Sequence, residues 1–293
     1  MDRRIIALYD EYTHAPLDRR VFIERLIRLT GSTAAAMAML PLLESNRAAA
    51  AVVAEDDARL KTETITLVAH SGPIEAYAVR PASVAGKLPV VVVIHENRGL
   101  NAHIRDVARR AALAGYFAVA PDFLSPVGGT PTDEDEARRL ISSLDRERTV
   151  QDAVAIVARL REHPDSTGRV GVVGFCWGGG LAGQIAVADP KLDAAVVFYG
   201  MPPDPKDAAK IKAPLLLHYA GLDERINAAV PAFRDALNAA GVEYTLHMYE
   251  GVHHAFHNDT SAARYNAEAA KPAWERTLAF FAGKLQGESG PRS

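Results

Sequence analysis

The sequence lacks the features that tie a chain to a membrane, to nucleic acid or to disulfide chemistry. It contains no apolar run of about 18 residues, the length that a transmembrane helix requires. Its net charge of −3 over 293 residues gives no electrostatic reason to expect nucleic acid or an anionic membrane as a partner. The single cysteine excludes an intrachain disulfide, so bridges say nothing about the compartment.

What is present suits a globular chain with a large core. Hydrophobic residues make up 48% and charged residues 24%, which with the length predicts one large domain plus an extra segment. Over 61–293, strand and helix patterns alternate, with helices expected at 104–114 and 262–284 among others and a frayed tail at 287–293. The continuous apolar run at 88–94 predicts a strand buried on both faces. The alternation predicts an α/β fold with a mostly parallel twisted sheet and helices on both faces.

Residues 1–60 have a different pattern. Apolar residues have helical spacing at 5–12 and 20–29, and no strand pattern occurs. Asp18 is placed to cap the second helix at its start, and Gly31 to end it. We therefore expect a helical N-terminal extension packed on the main domain of a cytoplasmic protein.

An alternative interpretation of this segment is an export signal. Arg19 and Arg20 precede a mildly apolar stretch rich in small residues, which is similar to a twin-arginine signal. The long acidic segment before the pair, and Glu24 and Arg28 after it, argue against that interpretation.

The strongest functional pattern is the pentapeptide Gly-Phe-Cys-Trp-Gly at 174–178, which lies between a predicted buried strand and a helix of small residues. This is the G-x-nucleophile-x-G elbow with cysteine in place of serine. A nucleophile on a sharp strained turn needs small neighbours, and the N-terminus of the following helix stabilises a thiolate and an oxyanion. A lone cysteine is usually an inert buried residue, but the agreement of motif and context favours Cys176 as a nucleophile.

A nucleophile needs a base, and the base needs an acid that orients it. Asp223 and His254 each follow a late predicted strand, in the chain order that this architecture uses. The simpler interpretation of Asp223 is a turn or helix-cap residue. His253 and His257 lie close to His254 and could suggest a metal, but without a supporting cysteine or carboxylate cluster we expect them to be polar loop residues.

Together these motifs resemble the dienelactone hydrolase family, the carboxymethylenebutenolidase-like α/β-hydrolases. The resemblance covers about 64–285 and includes the sequences HENRGLN at 95–101, APD at 120–122 and HAF at 254–256. It implies an α/β-hydrolase fold in which Cys176 is the nucleophile, His254 the base and Asp223 its orienting acid.

The resemblance also assigns supporting residues. Glu96 matches a glutamate that contacts the cysteine in the family and tunes its charge state, although it could simply cap the helix that follows. The backbone N–H groups of Asn97 and Trp177 would form the oxyanion hole.

One part of the family pattern is missing. Enzymes that act on dienelactone hold the substrate carboxylate with two arginines, and the corresponding places here hold Pro126 and Asn258. Neither residue can replace an arginine–carboxylate pair. The loop at 125–132 also predicts a different pocket wall, so the reaction can be retained while the substrate is not dienelactone.

The sequence therefore predicts an ester or lactone hydrolase that forms an acyl-enzyme on Cys176, needs no metal or organic cofactor, and has a small molecule as its partner. Oligomerisation is left open. The alternatives are a thioesterase or a carbon–carbon or carbon–halogen hydrolase that uses the same site, and a non-catalytic binding protein on a hydrolase scaffold. A thiol redox role is disfavoured because no resolving cysteine exists.

Overall fold

An eight-stranded sheet forms the centre of the protein in a computed structural model, which describes residues 1–14, 17–44 and 51–286. The strand order is β1-β2-β4-β3-β5-β6-β7-β8. The first two strands pair antiparallel, as do β2 and β4, and all other neighbours are parallel. The predicted mostly parallel sheet is confirmed. The strands are β1 (Leu60–Ala69), β2 (Gly72–Pro81), β3 (Leu88–Ile94), β4 (Phe117–Pro121), β5 (Ser166–Phe175), β6 (Ala194–Phe198), β7 (Leu215–Ala220) and β8 (Tyr244–Tyr249).

Helices cover both faces of this sheet, and β3 shows why its sequence is apolar at almost every position. Val90 and Val92 belong to the core that also contains Ile156 and Phe233, whereas Val91 and Val93 belong to the core on the opposite face of the sheet. Because successive side chains of a strand point to opposite faces, a strand covered on both sides needs apolar residues throughout. The helices are α1 (Arg3–His14), α2 (Arg19–Thr30), α3 (Thr33–Leu43), α4 (Ala102–Leu113), α5 (Glu134–Ser143), α6 (Arg146–Arg161), α7 (Trp177–Ala188), α8 (Glu224–Asn227), α9 (Val230–Ala240) and α10 (Ala267–Phe281).

The first residues of α4 and α10 differ from those expected. Helix α4 begins at Ala102 rather than 104, because the Asn101 side chain caps it by accepting a hydrogen bond from the Ile104 N–H. The predicted helix at 262–284 begins at Ala267, because Asn266 caps it in the same way and the residues before it form turns. The predicted frayed tail at 287–293 lies outside the described residues.

The first three helices pack together around an apolar cluster of their own that includes Tyr9, Phe22 and Leu26. Asp18 and Gly31 occupy the caps of α2 as expected, with Gly31 in the left-handed conformation at φ 81°. No single helix of the described residues is long and apolar enough to span a membrane. Only α2 and α3 taken together reach the required length and composition, and they meet at 113°.

Candidate active site

Cys176 lies on a strained turn at the junction of β5 and α7, with φ 55° and ψ −114°. A non-glycine residue rarely adopts a positive φ, and such strain clusters at functional sites. The turn requires glycine on both sides. A Cβ on Gly174 would lie 1.9 Å from the carbonyl oxygen of Gly178, and a Cβ on Gly178 would lie 2.4 Å from that of His95. The predicted elbow is therefore present, and its tightness explains its glycines.

The structure brings Asp223 and His254 together with the cysteine. Oδ2 of Asp223 lies 2.5 Å from Nδ1 of His254, while Oδ1 accepts a hydrogen bond from the Ile226 N–H at 3.3 Å and caps α8. Asp223 is thus both a cap and a histidine partner. Nε2 of His254 is buried, has no hydrogen-bond partner among the described residues, and lies within 4.8 Å of Cys176 Sγ.

A second histidine, His14, also contacts the sulfur. It is the last residue of α1, and its Nε2 lies 3.1 Å from Cys176 Sγ. Its ring packs edge-on against His254, with the ring centroids 4.5 Å apart. Sequence reasoning missed His14, because 162 residues separate it from the cysteine and no spacing rule links a helix terminus to a distant elbow.

The two histidines favour opposite charge states. Burial lowers the pKa of His254, but the charges of Asp223 and Cys176 outweigh burial and raise the pKa to about 10. Desolvation lowers the pKa of His14 well below its usual range, and the charges of His254 and Arg225 lower it further. The surroundings therefore favour the cationic form of His254 and the neutral form of His14.

Glu96 follows β3 and is almost fully buried. Its Oε2 accepts a hydrogen bond from Nδ2 of Asn258 at 2.6 Å, and its Oε1 accepts one from the hydroxyl of Tyr199 at 3.3 Å. The sulfur hydrogen-bonds to His14, and the expected contact between Glu96 and Cys176 stays a prediction. Asn258 and Tyr199 were not expected to act as partners of this carboxylate.

The two predicted oxyanion residues flank the elbow and line the same pocket. Trp177 is the first residue of α7, and its indole stacks on His95 with ring centroids 5.1 Å apart. Asn97 follows β3, and its side-chain Nδ2 donates a hydrogen bond to the Thr13 carbonyl at 2.7 Å. The end of α1 is therefore attached to a residue of the candidate site.

The cysteine opens into a pocket of about 750 Å³, and the N-terminal helix forms one of its walls. Pro126 and Asn258, which the sequence resemblance matches to the family arginines, are not among the lining residues. Arg225 lines the pocket and has no ion pair among the residues that the structure describes. The other pocket-lining arginines are Arg138, Arg139 and Arg146.

The remaining histidines of the late loop do not join the site. His257 is fully enclosed and stacks on Phe175 with ring centroids 5.0 Å apart. His253 is half-buried. Within the described part of the chain, neither converges with His254 on a common point where a metal could bind.

Comparison with known proteins places these features in a family. Residues 74–285 match the sequence model of the dienelactone hydrolase family. A protein of Methylorubrum extorquens named "Putative carboxymethylenebutenolidase" is 33% identical over 265 residues, which cover 85% of this chain and 89% of that protein.

Two solved structures share the fold. The crystal structure titled "Putative Dienelactone Hydrolase" from Klebsiella pneumoniae superposes with a TM-score of 0.70 at 32% identity, covering 76% of this chain and 98% of that chain. A bacterial brefeldin A esterase superposes with a TM-score of 0.66 over 98% of this chain and 95% of its own, but at 17% identity it shows the fold alone.

Proposed function

We propose, because the chain belongs to the dienelactone hydrolase family, that its activity on esters or lactones runs through an acyl-enzyme on Cys176, with His254 as base and Asp223 as its orienting acid. The observation that carries the proposal is the arrangement around His254. One ring nitrogen is held 2.5 Å from a buried carboxylate, and the other faces a cysteine on a strained elbow. A nucleophile, a base and a group that orients the base are the parts that nucleophilic catalysis needs.

Acylation begins with attack of the Cys176 thiolate on the carbonyl carbon. The electron pair of the carbonyl moves to its oxygen, which the backbone N–H groups of Asn97 and Trp177 stabilise. When the tetrahedral intermediate collapses, the alkoxide leaves and takes the proton from cationic His254. The products of this half-reaction are an alcohol, or the opened end of a lactone, and a thioester on Cys176.

Deacylation needs a neutral histidine, and the charge balance of the site provides one. The pKa of His254 is high partly because of the negative charge at Cys176, and that charge is absent from the thioester. The pKa of His254 therefore falls on acylation, and its Nε2 can take a proton from water. The hydroxide attacks the thioester, and collapse of the second tetrahedral intermediate restores the thiolate.

The residues of the site favour a substrate other than dienelactone. Asn258 is fully buried and binds Glu96, so its side chain is committed and does not replace an arginine clamp. Arg225 supplies a positive charge at a different point of the pocket. The preferred substrate is accordingly an ester or lactone whose acidic group, if it has one, reaches Arg225.

Hydrolysis of p-nitrophenyl acetate by the wild type and by Cys176→Ala tests the proposal. We expect release of p-nitrophenol by the wild type to fall to the buffer rate in the variant, while Cys176→Ala keeps the melting temperature. Equal rates in the two proteins would show that Cys176 is not the nucleophile. A folded wild type inactive on acetate and on a panel of lactones and thioesters would favour a binding role.

A further inference from the structure

The side chains of His14, Cys176 and His254 converge on one point. Their potential ligand atoms, two imidazole nitrogens and one sulfur, all lie within 4.8 Å of one another. In the described residues this is the one group of three or more histidine, cysteine or acidic side chains that converges in this way. His14 lies outside the residues that match the family model, which begin at residue 74.

Both histidines are oriented as metal ligands usually are. Nδ1 of His14 lies 2.8 Å from the Asp10 carbonyl, and Nδ1 of His254 lies 2.5 Å from Asp223. A ring nitrogen that donates to a carbonyl or a carboxylate leaves the lone pair of the other nitrogen free for a metal, and such outer partners accompany most histidine ligands. Nε2 of His254 is fully buried, has no closer hydrogen-bond partner among the described residues, and lies near both the sulfur and His14.

The N-terminal helix is held firmly enough to present His14 in a fixed place. Three hydrogen bonds or ion pairs connect its last two turns to the main domain. Asn97 donates to the Thr13 carbonyl at 2.7 Å, Arg138 donates to the Tyr12 carbonyl at 2.8 Å, and Arg264 pairs with Asp10 at 3.3 Å. A site whose ligands are held before the metal arrives loses little entropy on binding.

We propose that these three side chains form a binding site for Zn²⁺, with water as the fourth ligand. The bound ion reversibly inhibits the enzyme, because it coordinates the sulfur that would attack the substrate. Thiolate sulfur and imidazole nitrogen are the ligands that Zn²⁺ prefers, in tetrahedral sites of three or four protein ligands. Binding uses lone pairs of Cys176 Sγ and the two Nε2 atoms, and any proton that these three atoms carry is released to solvent. Nothing is oxidised or reduced.

All three ligand atoms lie within 4.8 Å of one another, so any pair that lies farther apart than a zinc site requires must move closer on binding. Bond lengths of about 2.0 Å to nitrogen and 2.3 Å to sulfur place tetrahedral ligands about 3.5 Å apart, and His14 Nε2 already lies 3.1 Å from Sγ. A sulfur engaged by Zn²⁺ cannot attack a carbonyl, and a metal-bound Nε2 cannot accept a proton. The regulatory part of the inference rests on the proposed function, whereas the metal site itself does not.

Cobalt substitution tests the site directly, without any use of hydrolysis. We expect Co²⁺ added to the metal-free full-length protein to give a thiolate-to-cobalt charge-transfer band that saturates at one ion per chain, and Zn²⁺ to abolish it by displacement. Mg²⁺ should not displace Co²⁺, because it prefers oxygen ligands. Absence of the band from the wild type would overturn the inference.

Variants locate the ligands. Loss of an outer partner alone weakens metal binding by about 10- to 100-fold, so His14→Ala, which removes a ligand, should weaken Zn²⁺ binding by at least about 100-fold, and Cys176→Ala should remove the cobalt band. His70→Ala is the matched control, because it deletes an exposed histidine of the β1–β2 turn. His14→Gln keeps a side chain that packs in the helix, which separates loss of a ligand from loss of the fold. Equal Zn²⁺ affinity in wild type and both folded His14 variants would refute the site.

Inhibition separates this inference from the proposed function. We expect Zn²⁺ to stop p-nitrophenyl acetate hydrolysis, a chelator to restore it, and His14→Ala to need about 100-fold more Zn²⁺ for the same fractional inhibition. A protein that hydrolyses the ester through Cys176 but gives no cobalt band would refute the metal site and leave the proposed function intact. A protein that binds Co²⁺ through Cys176 but hydrolyses no ester would refute the proposed function, and with it the regulatory role, while the metal site would stand.

Discussion

Asp223→Asn separates the catalytic and structural parts of one side chain. In the wild type, Oδ1 caps α8 and Oδ2 binds Nδ1 of His254. Asparagine keeps an oxygen that can cap the helix, and it is as good an N-cap as aspartate. Its amide cannot both cap with that oxygen and accept from Nδ1–H, so it favours the wrong tautomer of His254. We therefore expect the fold to survive and the orientation of the base to be lost.

The magnitude follows from the bond that is lost. A hydrogen bond to a charged partner contributes about 1.5–3 kcal/mol, which corresponds to about 10- to 100-fold in rate. The wrong tautomer adds to this loss, and the equivalent change in serine proteases costs about 10⁴-fold. We expect kcat/KM for p-nitrophenyl acetate to fall by at least about 100-fold, with a melting temperature close to that of the wild type.

Asp223→Ala is the matched comparison. It removes both interactions, so it should lose as much activity as Asp223→Asn and also about 1 kcal/mol of unfolding free energy through the missing cap. If Asp223→Asn keeps kcat/KM within about threefold of the wild type, Asp223 does not orient the base, and the triad argument is wrong.

Three further predictions test the elbow, the pocket charge and the acid stability. Gly174→Ala should destabilise the protein by at least about 3 kcal/mol, because its Cβ would lie 1.9 Å from a backbone oxygen. The control Gly180→Ala, whose Cβ would lie 3.5 Å from the nearest backbone oxygen, should keep the wild-type melting temperature. Similar melting temperatures in both variants would contradict this explanation of the turn. Arg225→Gln should raise KM about two- to fivefold for an ester with a carboxylate on its acyl group but not for the neutral acetate. The control Arg234→Gln, on the surface of α9, should change neither KM value. An equal effect of Arg225→Gln on both esters would rule out recognition of the substrate charge. Burial raises the pKa of Asp259, but His103 and Arg110 outweigh it and hold the pKa well below its usual range, so the carboxylate stabilises the fold at neutral pH and this stability is lost as pH falls. Asp259→Asn should therefore lower the free energy of unfolding in urea at neutral pH, and the free energies measured at neutral pH and at about pH 3 should differ less in the variant than in the wild type. If the two proteins lose the same free energy between these pH values, the assignment is wrong.

Local patterns in the sequence were enough to predict the sheet and the elbow. A strand buried on both faces must be apolar throughout, which makes β3 visible in the sequence, and a tight nucleophile turn must have glycines at 174 and 178. The sequence predicts a helix start five residues before that of α10, because the periodicity at 262–266 resembles a helix. In the structure, the Ser261 carbonyl accepts hydrogen bonds from the N–H groups of Arg264 and Tyr265, and the helix starts only at the Asn266 cap.

The parts of the site that depend on long-range contacts could not be predicted. His14 reaches the sulfur only because an N-terminal helix packs across the pocket, and Asn258 binds Glu96 across 162 positions of sequence. Neither contact leaves a local pattern, because each is produced by tertiary packing of separate elements. For the same reason, the residues that neighbour His254 in the sequence carry no sign of His14, whose ring packs against it in the structure.

Trapping the acyl group on Cys176 is the most direct test of the proposed mechanism. Acid quenching during turnover of p-nitrophenyl acetate, followed by mass spectrometry of the protein and its peptides, would detect a thioester on this residue. The account predicts the mass of one acetyl group on the peptide that contains Cys176, and no such adduct in Cys176→Ala. An acetyl group on another residue, or continued turnover by Cys176→Ala, would contradict it.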